Sequence, residues 1–251
     1  MKKFIGLFAT VILMLYGTST FGANPAEDLI FNFPFDEGKG DTTADTSPNK
    51  FKGTIKNAEW VEGVVGQALQ FKNGAVTVPA LGVDEPKEMT IEMWFKPTDK
   101  IAGGGRIDLM YRGNGGGRPH LTFNRDGILF GCYVATKAKE FQVITTLDAF
   151  EPQWYYLVVT QDKDKAIVYI DGKKNAEANS GGDVRMDFGV HGMSIGANTG
   201  NSNFFNGTID EVKMWSVALT AEEVKKNMDQ ALAVEAHNKL TTTWGKIKSR
   251  K

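Results

Sequence analysis

Apolar and polar residues alternate along most of the chain. In the segment T-I-E-M-W-F-K-P, Ile91, Met93 and Phe95 share one face and the residues between them share the other, until Pro97 ends the pattern. The segment W-Y-Y-L-V-V-T-Q-D-K-D-K-A-I-V-Y-I-D-G-K-K reads as two strands joined by a polar turn, and the second strand ends in the hairpin dipeptide Asp171-Gly172. Both segments predict antiparallel strands.

Short apolar runs bounded by Gly and Asn extend this pattern. They predict further strands at Leu29 to Phe35, Ala68 to Phe71, Ala75 to Val78, Leu121 to Phe123, Ile128 to Tyr133, Phe141 to Thr145 and Met193 to Ala197. Many short strands at regular spacing, with little helix, are typical of an all-β sandwich of two sheets.

One short C-terminal helix interrupts the β pattern. Thr220 stands three residues before Glu223, which is the spacing of a capping box, and Ala221 to Met228 contains good helix formers. The polar and basic residues that follow Ala236 are expected to form an extended tail that packs loosely on the domain, or a contact for another chain.

The N-terminus has the features of a secretory signal peptide. Lys2 and Lys3 precede an apolar run that is short for a bilayer span, and small and polar residues follow it up to Ala23. We therefore expect a signal peptide at residues 1–22, one domain at 23–232 and a tail at 233–251. The mature chain is expected to be secreted or periplasmic, with no membrane span.

Composition narrows the classes of partner. Without Lys2 and Lys3, 27 of the 29 basic residues remain beside 30 acidic residues, so no polycationic face is expected and nucleic acid is not an expected partner. Cys132 is the single cysteine, so it has no internal disulfide partner. Its apolar neighbours indicate a buried small side chain rather than a catalytic thiol.

Asp210 raises a physical question. Counted by twos along F-F-N-G-T-I-D-E-V-K-M-W, it lies in the same row as Val212 and Met214, which would point a carboxylate toward the core. An unpaired buried carboxylate costs several kcal/mol. Asp210 therefore needs a cation, hydrogen-bond donors such as backbone N–H groups or an arginine, or a bulge that turns it to solvent.

Several segments together resemble a known family. The opening strand F-P-F-D-E-G-K-G, the hairpin strands, the strand M-S-I-G-A and the stretch F-N-G-T-I-D-E-V-K-M-W-S-V-A-L-T-A-E-E-V resemble laminin G-like domains of the concanavalin A-like lectin and glucanase superfamily. The resemblance covers Asp28 to Lys226. It implies a two-sheet antiparallel jelly roll, usually a binding module on exported proteins, with ligands that range from glycans to proteins.

The resemblance also implies a structural calcium ion where the first and last long strands meet. The matching ligand positions are Asp36 and Asp210, with the side chain of Asp45 and the carbonyl of Gly53 as further oxygen ligands. Glu37 and Glu211 are weaker candidates in the same cluster. The alternatives for Asp210 given above stay open.

Two glycine- and asparagine-rich segments are candidates for recognition. Ile101 to Arg118 and Asn198 to Asn203 read as long loops, and loops on a rigid sandwich often carry binding residues. The candidate ligand-binding residues there are Arg106, Tyr111, Arg112, Asn114, Arg118, Asn198, Asn201 and Asn203.

Catalysis has weaker support. The resemblance implies that a retaining glucanase of this fold would place its two carboxylates on one strand in an E-x-D-x-x-E run, and no such run occurs in the sequence. Glu92 stands alone on its strand, where it is expected to be solvated on an outer face. Gly192 to Gly196 matches G-x-S-x-G, but no helix follows it, so Ser194 is expected to be an ordinary strand residue. We interpret the chain as a non-catalytic module that binds a glycan or extracellular macromolecule. The alternatives are a glycan-cleaving hydrolase or lyase on the same fold, and an adhesion subunit that binds protein.

Overall fold

The computed structural model describes residues 22–84, 86–101, 105–112, 119–123, 130–136, 140–145, 150–179, 184–185, 192–198 and 202–248. The helices are α1 (Pro25–Asp28) and α2 (Ala221–Lys248). The strands are β1 (Leu29–Phe33), β2 (Thr42–Ala44), β3 (Lys52–Glu62), β4 (Gln67–Val78), β5 (Met89–Pro97), β6 (Ile107–Arg112), β7 (His120–Phe123), β8 (Phe130–Thr136), β9 (Glu140–Ile144), β10 (Tyr155–Gln161), β11 (Lys165–Ile170), β12 (Lys173–Asn179), β13 (Val184–Arg185), β14 (Met193–Ile195) and β15 (Gly207–Trp215).

The strands pair antiparallel in one continuous sheet that curls into two layers. Within the described residues the sheet has 15 strands, and its main path runs β12-β11-β10-β5-β15-β4-β14-β6-β7-β8-β13. β4 pairs with β15 through its first half and with β14 through its second half, so this strand belongs to both layers. The predicted all-β jelly roll is confirmed, although hydrogen bonds join its two layers through β4.

The main core lies between the layers. Ile91, Met93 and Phe95 of β5 contribute the predicted inner face, and Leu121 and Phe123 of β7 belong to the same buried cluster from the other layer. Each fully buried side chain of this size stabilises the fold by about 1.5–3 kcal/mol. The period-two pattern of the sequence therefore identified the main core correctly.

Helix α2 covers the outer face of one layer. Val224 of the helix packs in a second buried cluster with Trp94, Tyr156 and Trp215. The capping box is confirmed, since Glu223 accepts hydrogen bonds from the backbone N–H and the hydroxyl of Thr220. Among the described residues, no helix combines the length and apolar character that a membrane crossing would need.

Three expectations differ from the structure. Helix α2 continues to Lys248, so the expected extended tail is helical and the expected boundary at residue 232 falls inside the helix. The segment 101–118, expected to be a loop, contains strand β6, whose neighbouring glycines obscured its pattern. Glu92, expected to be solvated, is 1% exposed because α2 and neighbouring side chains cover the outer face.

Candidate functional site

A β-bulge in β15 decides where Asp210 points. Asp210 is paired with Trp94 and Lys213 with Glu92, with a shift in register between them, and Glu211 has a φ of 52°. The bulge adds one residue to β15, which reverses the faces on its two sides. Asp210 therefore shares the outer face with Trp94, and its expected row with Val212 and Met214 is wrong.

Asp210 is nevertheless fully buried, beneath the turn that joins β3 to β4. Its Oδ2 accepts hydrogen bonds from the backbone N–H groups of Val64, at 2.8 Å, and Val65, at 3.1 Å. Its Oδ1 is buried and has no hydrogen-bond partner. Burial raises the pKa of Asp210 to about 8, despite the opposing effect of the backbone hydrogen bonds.

Asp36 meets the same turn from its other end. Its Oδ1 accepts a hydrogen bond of 2.9 Å from the backbone N–H of Gln67. Gly66 has a φ of 62°, and an ideal Cβ there would lie 2.1 Å from Oδ1 of Asp36, so a side chain would displace the carboxylate. The structure thus brings two of the four predicted calcium ligands, Asp36 and Asp210, to one turn. The unpartnered Oδ1 of Asp210 is the feature that fits a cation there.

The other two predicted calcium ligands have different surroundings. The carboxylate of Asp45 accepts hydrogen bonds from the backbone N–H groups of Asn32, Ser47 and Phe51 and from the hydroxyl of Ser47. Four donors use the lone pairs of its two oxygens, so Asp45 stabilises the turn between β2 and β3 and does not fit a metal ligand. Gly53 lies in β3 opposite Thr43, where an ideal Cβ would approach Val76 to 2.6 Å.

Glu37 and Glu211 are also engaged with protein groups. Glu37 accepts hydrogen bonds from the backbone N–H of Ala44 and the hydroxyl of Thr43. Glu211 forms an ion pair of 2.8 Å with Lys213. Among the described residues no group of three or more His, Cys, Asp or Glu side chains could hold a metal ion. A calcium ion at Asp210 would therefore need backbone oxygens beside Asp36.

A buried charge network lies next to Asp210 on the outer face. Glu92 accepts hydrogen bonds from the side chains of Tyr156, Trp215 and Asn227, and the ammonium of Lys213 lies 3.9 Å away. Burial opposes the charge of Lys213, but Glu92 and Glu211 outweigh it and raise the pKa of Lys213. Because Asn227 belongs to α2, this network ties the helix to the sheet.

The layer that contains β6, β7 and β14 carries a second polar cluster. Asp108 is paired with Thr122 across β6 and β7, and Tyr111 with Ser194 across β6 and β14. A bulge between Asp108 and Met110 puts Asp108 and Tyr111 on the same side of β6, so all four side chains share one face. Asp108 is fully buried. This face is the one that does not contribute to the core.

Asp108 is the centre of this cluster. Nε of Arg106 donates to both of its carboxylate oxygens at 3.1 Å, and Nδ2 of Asn203 donates to Oδ2 at 3.1 Å. The guanidinium of Arg106 lies 5.2 Å from the ring centre of Tyr111, which stacks on His120 at a centroid distance of 5.2 Å. We call Arg106, Asp108, Tyr111, His120 and Asn203 the Arg106 cluster. The side chain of Arg106 is 34% exposed, so it can reach a ligand.

Three of the eight predicted ligand-binding residues, Arg106, Tyr111 and Asn203, meet in this cluster. Arg112 follows Tyr111 but is paired with Met193 on the opposite face and is 2% exposed, so it does not join them. Asn198 bonds through its backbone to Ser202. Asn114, Arg118 and Asn201 lie outside the described residues. Sequence reasoning missed Asp108, although it stands two residues after Arg106 in a run of alternating character.

Ser194 is the residue expected to be an ordinary strand residue, and the structure confirms this. It lies in β14 between two antiparallel neighbours and is buried. A nucleophilic serine would instead need an exposed, strained turn between a strand and a helix.

A groove of about 800 Å³ lies elsewhere, beside the bulges of β3 and β4. Asn57 and Asn73 have φ values of 49° and 50°, and they are joined by a bond from Nδ2 of Asn57 to the carbonyl of Asn73. Oδ1 of Asn206 accepts from the backbone N–H of Asn73 at 2.8 Å. The groove is lined by Asn57, Ala58, Glu59, Gln70, Phe71, Lys72, Asn73, Thr98, Asp99 and Asn206.

Solved structures with the same architecture include several binding domains. Domain 4 of AbnA, a GH43 extracellular arabinanase from Geobacillus stearothermophilus solved with arabinotriose, has a TM-score of 0.62 at 19% identity, and the match covers 79% of this chain and 97% of that domain. The binding domain of botulinum neurotoxin DC, solved with SialylT, has a TM-score of 0.63 at 11% identity, and the match covers 81% of this chain and 51% of the toxin domain. This chain thus corresponds to about half of that toxin domain.

A third similar structure is the binding domain of Paraclostridial Mosquitocidal Protein 1, with a TM-score of 0.64 at 16% identity over 82% of this chain and 53% of that domain. No curated protein matches the chain. A laminin G profile, described as the Concanavalin A-like lectin/glucanases superfamily, matches residues 71–225, which is more than half of the 251 residues. The chain therefore belongs to the concanavalin A-like lectin/glucanase superfamily.

Proposed function

We propose that this protein is a carbohydrate-binding module and that the Arg106 cluster contacts the glycan. The observation that carries the proposal is the arrangement around Asp108, where Arg106 and Asn203 both bond to one buried carboxylate beside the stacked rings of Tyr111 and His120. A site held by such bonds keeps its geometry when a ligand arrives.

The chemistry of the cluster suits sugar hydroxyls. A hydroxyl both donates and accepts hydrogen bonds, so it pairs with guanidinium and amide donors and with amide and carboxylate acceptors. The guanidinium of Arg106 has five N–H donors in a planar fork, and its bonds to Asp108 use only part of them. Arg106 and Asn203 can therefore bind a hydroxyl while Asp108 holds them in place.

The similar structures give independent support. One of them is named as a complex with arabinotriose and another as a complex with SialylT. Since both matches are below 25% identity, they support a binding role through the fold, and the position of the site in this chain rests on the Arg106 cluster.

The groove beside Asn57 is the second candidate surface. Glycan subsites are often lined by several polar groups that fix orientation, and cavities of about 300–1,000 Å³ suit small ligands. Its volume lies in this range, and Asn57, Asn73 and Asn206 are held by hydrogen bonds among themselves. Its single lining aromatic residue, Phe71, is buried, as Tyr111 and His120 are in the Arg106 cluster. The groove ranks second because none of its lining residues is a buried carboxylate that holds its neighbours in place, as Asp108 holds Arg106 and Asn203.

A hydrolase is the alternative on the same fold. Glycoside hydrolysis needs two carboxylates that flank the bond, about 5–9.5 Å apart. Among the described members of the Arg106 cluster, Asp108 supplies one carboxylate, and it is fully buried beneath Arg106. The arrangement within the Arg106 cluster thus favours binding over cleavage.

The proposal includes export and a structural calcium ion. Export rests on the signal-peptide pattern of residues 1–22. Calcium rests on the resemblance and on the unpartnered Oδ1 of Asp210, with Asp36 as the second carboxylate. When bound, the ion would supply positive charge that favours the ionised form of Asp210.

A glycan array, followed by titration calorimetry with the best ligand, tests the proposal. We expect binding by the wild-type chain, a loss of at least about tenfold in affinity for Arg106→Ala, and unchanged affinity for Lys100→Ala, an exposed cation paired with Glu151. Loss of binding in Asn57→Ala, with Arg106→Ala unaffected, would move the site to the groove.

A reducing-sugar assay on the same glycans tests the alternative that the chain is a glycan-cleaving hydrolase. Release of product by the wild-type chain would contradict a purely binding role. If no glycan on the array binds and the chain instead binds a purified extracellular protein, the result would support the adhesion alternative.

A further inference from the structure

The start of the domain is attached to helix α2 by one specific contact. The backbone nitrogen of Ala23 donates a hydrogen bond of 2.7 Å to Oε1 of Glu223, a residue 200 positions away in sequence. The other oxygen of Glu223, Oε2, accepts from the backbone N–H and hydroxyl of Thr220. Glu223 therefore closes the capping box with one oxygen and holds Ala23 with the other.

The local structure places Ala23 where the chain enters the fold. Ala23 is half-buried against the apolar cluster beneath α2. The next residue, Asn24, caps α1 by accepting a bond from the N–H of Ala26, and its own N–H donates to Asp28. The position of Ala23 is thus defined on both sides, by α1 and by α2.

The residue before Ala23 is a glycine that lies against Glu223. An ideal Cβ on Gly22 would lie 3.1 Å from Oε1 of Glu223, which is tighter than an ordinary contact. A small residue is also what a signal peptidase requires immediately before the bond that it cuts. Gly22 meets the cleavage preference and lies beside the carboxylate that holds Ala23.

We propose that the Gly22–Ala23 bond is cut during export and that the new α-ammonium group of Ala23 forms an ion pair with Glu223. The cut is a hydrolysis by a peptidase: water adds across the amide, Gly22 keeps a carboxylate, and Ala23 keeps an amine that takes up a proton. The nitrogen that donates to Glu223 stays in place. Its neutral amide N–H is replaced by a charged donor.

The charge of Glu223 suits this role. Burial acts to raise the pKa of Glu223, but hydrogen bonds from Thr220 and Ala23 outweigh it, so the pKa lies below its usual value. Glu222 and Glu223 place two acidic side chains in the first turn of α2. A carboxylate that is ionised at neutral pH binds an ammonium more strongly than an amide.

Cleavage would therefore do more than remove the leader. It would strengthen the link between the strand that opens the sheet and the helix that covers it. This inference does not depend on which ligand the domain binds.

The experiment starts from the full 251-residue chain in a secreting host, with the exported product analysed by intact mass and N-terminal sequencing. We expect a chain that begins at Ala23. A product that begins elsewhere, or an exported chain that keeps Gly22, would overturn the proposal.

The pairing is tested on chains that begin at Ala23. One sample has a free N-terminus and the other is N-acetylated, which keeps the N–H donor but removes the charge. We expect the free chain to melt about 2–4 °C higher at neutral pH. In Glu223→Gln, which keeps an acceptor oxygen without the charge, the difference between free and acetylated chains should fall below about 1 °C.

Equal melting temperatures for the free and acetylated wild-type chains would overturn the ion pair. An equal difference in wild type and Glu223→Gln would also overturn it, because the charge effect would then come from another group. The comparison within the wild-type sequence remains decisive if Glu223→Gln does not fold.

Discussion

The buried carboxylate of Asp210 makes the stability of the fold depend on pH in an unusual direction. Its pKa is about 8 in the folded protein, against an ordinary value of 3.8. Between these two values the folded state binds a proton that the unfolded state releases. The free energy of unfolding therefore falls as pH rises from about 4 to about 8, and this contribution is lost above the folded pKa.

The size of the effect follows from the shift. One pKa unit corresponds to about 1.4 kcal/mol, so Asp210 should lower stability by roughly 3 kcal/mol between about pH 5 and about pH 7. In Asp210→Asn the side chain is neutral at every pH, and its oxygen can still accept from the N–H groups of Val64 and Val65. The variant should therefore lack this part of the pH dependence.

Urea unfolding in a chelating buffer, at several pH values, measures the effect. The free energy of unfolding of the wild type minus that of Asp210→Asn should fall by roughly 3 kcal/mol over this range, and other titrating groups cancel in the difference. A difference that does not change with pH would refute the assignment of a raised pKa to Asp210.

The same comparison with added calcium tests the metal proposal. A cation beside Oδ1 of Asp210 favours the ionised carboxylate, so calcium should raise the stability of the wild type at about pH 7 and leave Asp210→Asn unchanged. If chelator and calcium leave the wild-type curve identical, a calcium ion at Asp36 and Asp210 is excluded as a structural element.

Two further predictions concern the surroundings of Asp210. Gly66→Ala should destabilise the fold by about 2 kcal/mol, because the backbone cost of a left-handed residue is joined by the loss of the hydrogen bond that the N–H of Gln67 donates to Asp36. Gly82→Ala is the control, since Gly82 has the same conformation with nothing within 4 Å, and it should cost about 1 kcal/mol. Equal losses in urea unfolding would show that Asp36 moves without cost. Glu92→Ala should destabilise the fold by about 3–5 kcal/mol, because Lys213 loses a buried partner and three donors lose their acceptor. The exposed control Glu59→Ala should change the free energy of unfolding by less than about 0.5 kcal/mol. A small loss for Glu92→Ala would mean that water replaces the network beneath α2.

Local pattern was sufficient for much of the fold. The alternation in β5 identified Ile91, Met93 and Phe95 as core residues, because successive side chains of a strand point to opposite faces whatever the partner strand is. The capping box at Thr220 and Glu223 was also readable, since both of its bonds join residues three apart. Where glycines flanked a strand, as at β6, the local signal was too weak.

Only part of the candidate site could be predicted from the sequence. Arg106, Tyr111 and Asn203 were selected from two loop-like segments, but their meeting at Asp108 joins residues 95 positions apart. Composition can suggest which segments bind a ligand. It cannot say which side chains of those segments will be neighbours, because this depends on how the strands pair.

The sequence by itself determined the all-β architecture, the main core and the start of α2, because these follow from periodicity and from bonds between near neighbours. Only the tertiary structure decided the face of Asp210 and the burial of Glu92. The bulge at Glu211 shifts one strand against its neighbour by a single residue, and a shift of one residue exchanges the two faces of a strand. Helix α2 then covers the outer face, so that Glu92, which local pattern assigns to solvent, is buried in a charge network.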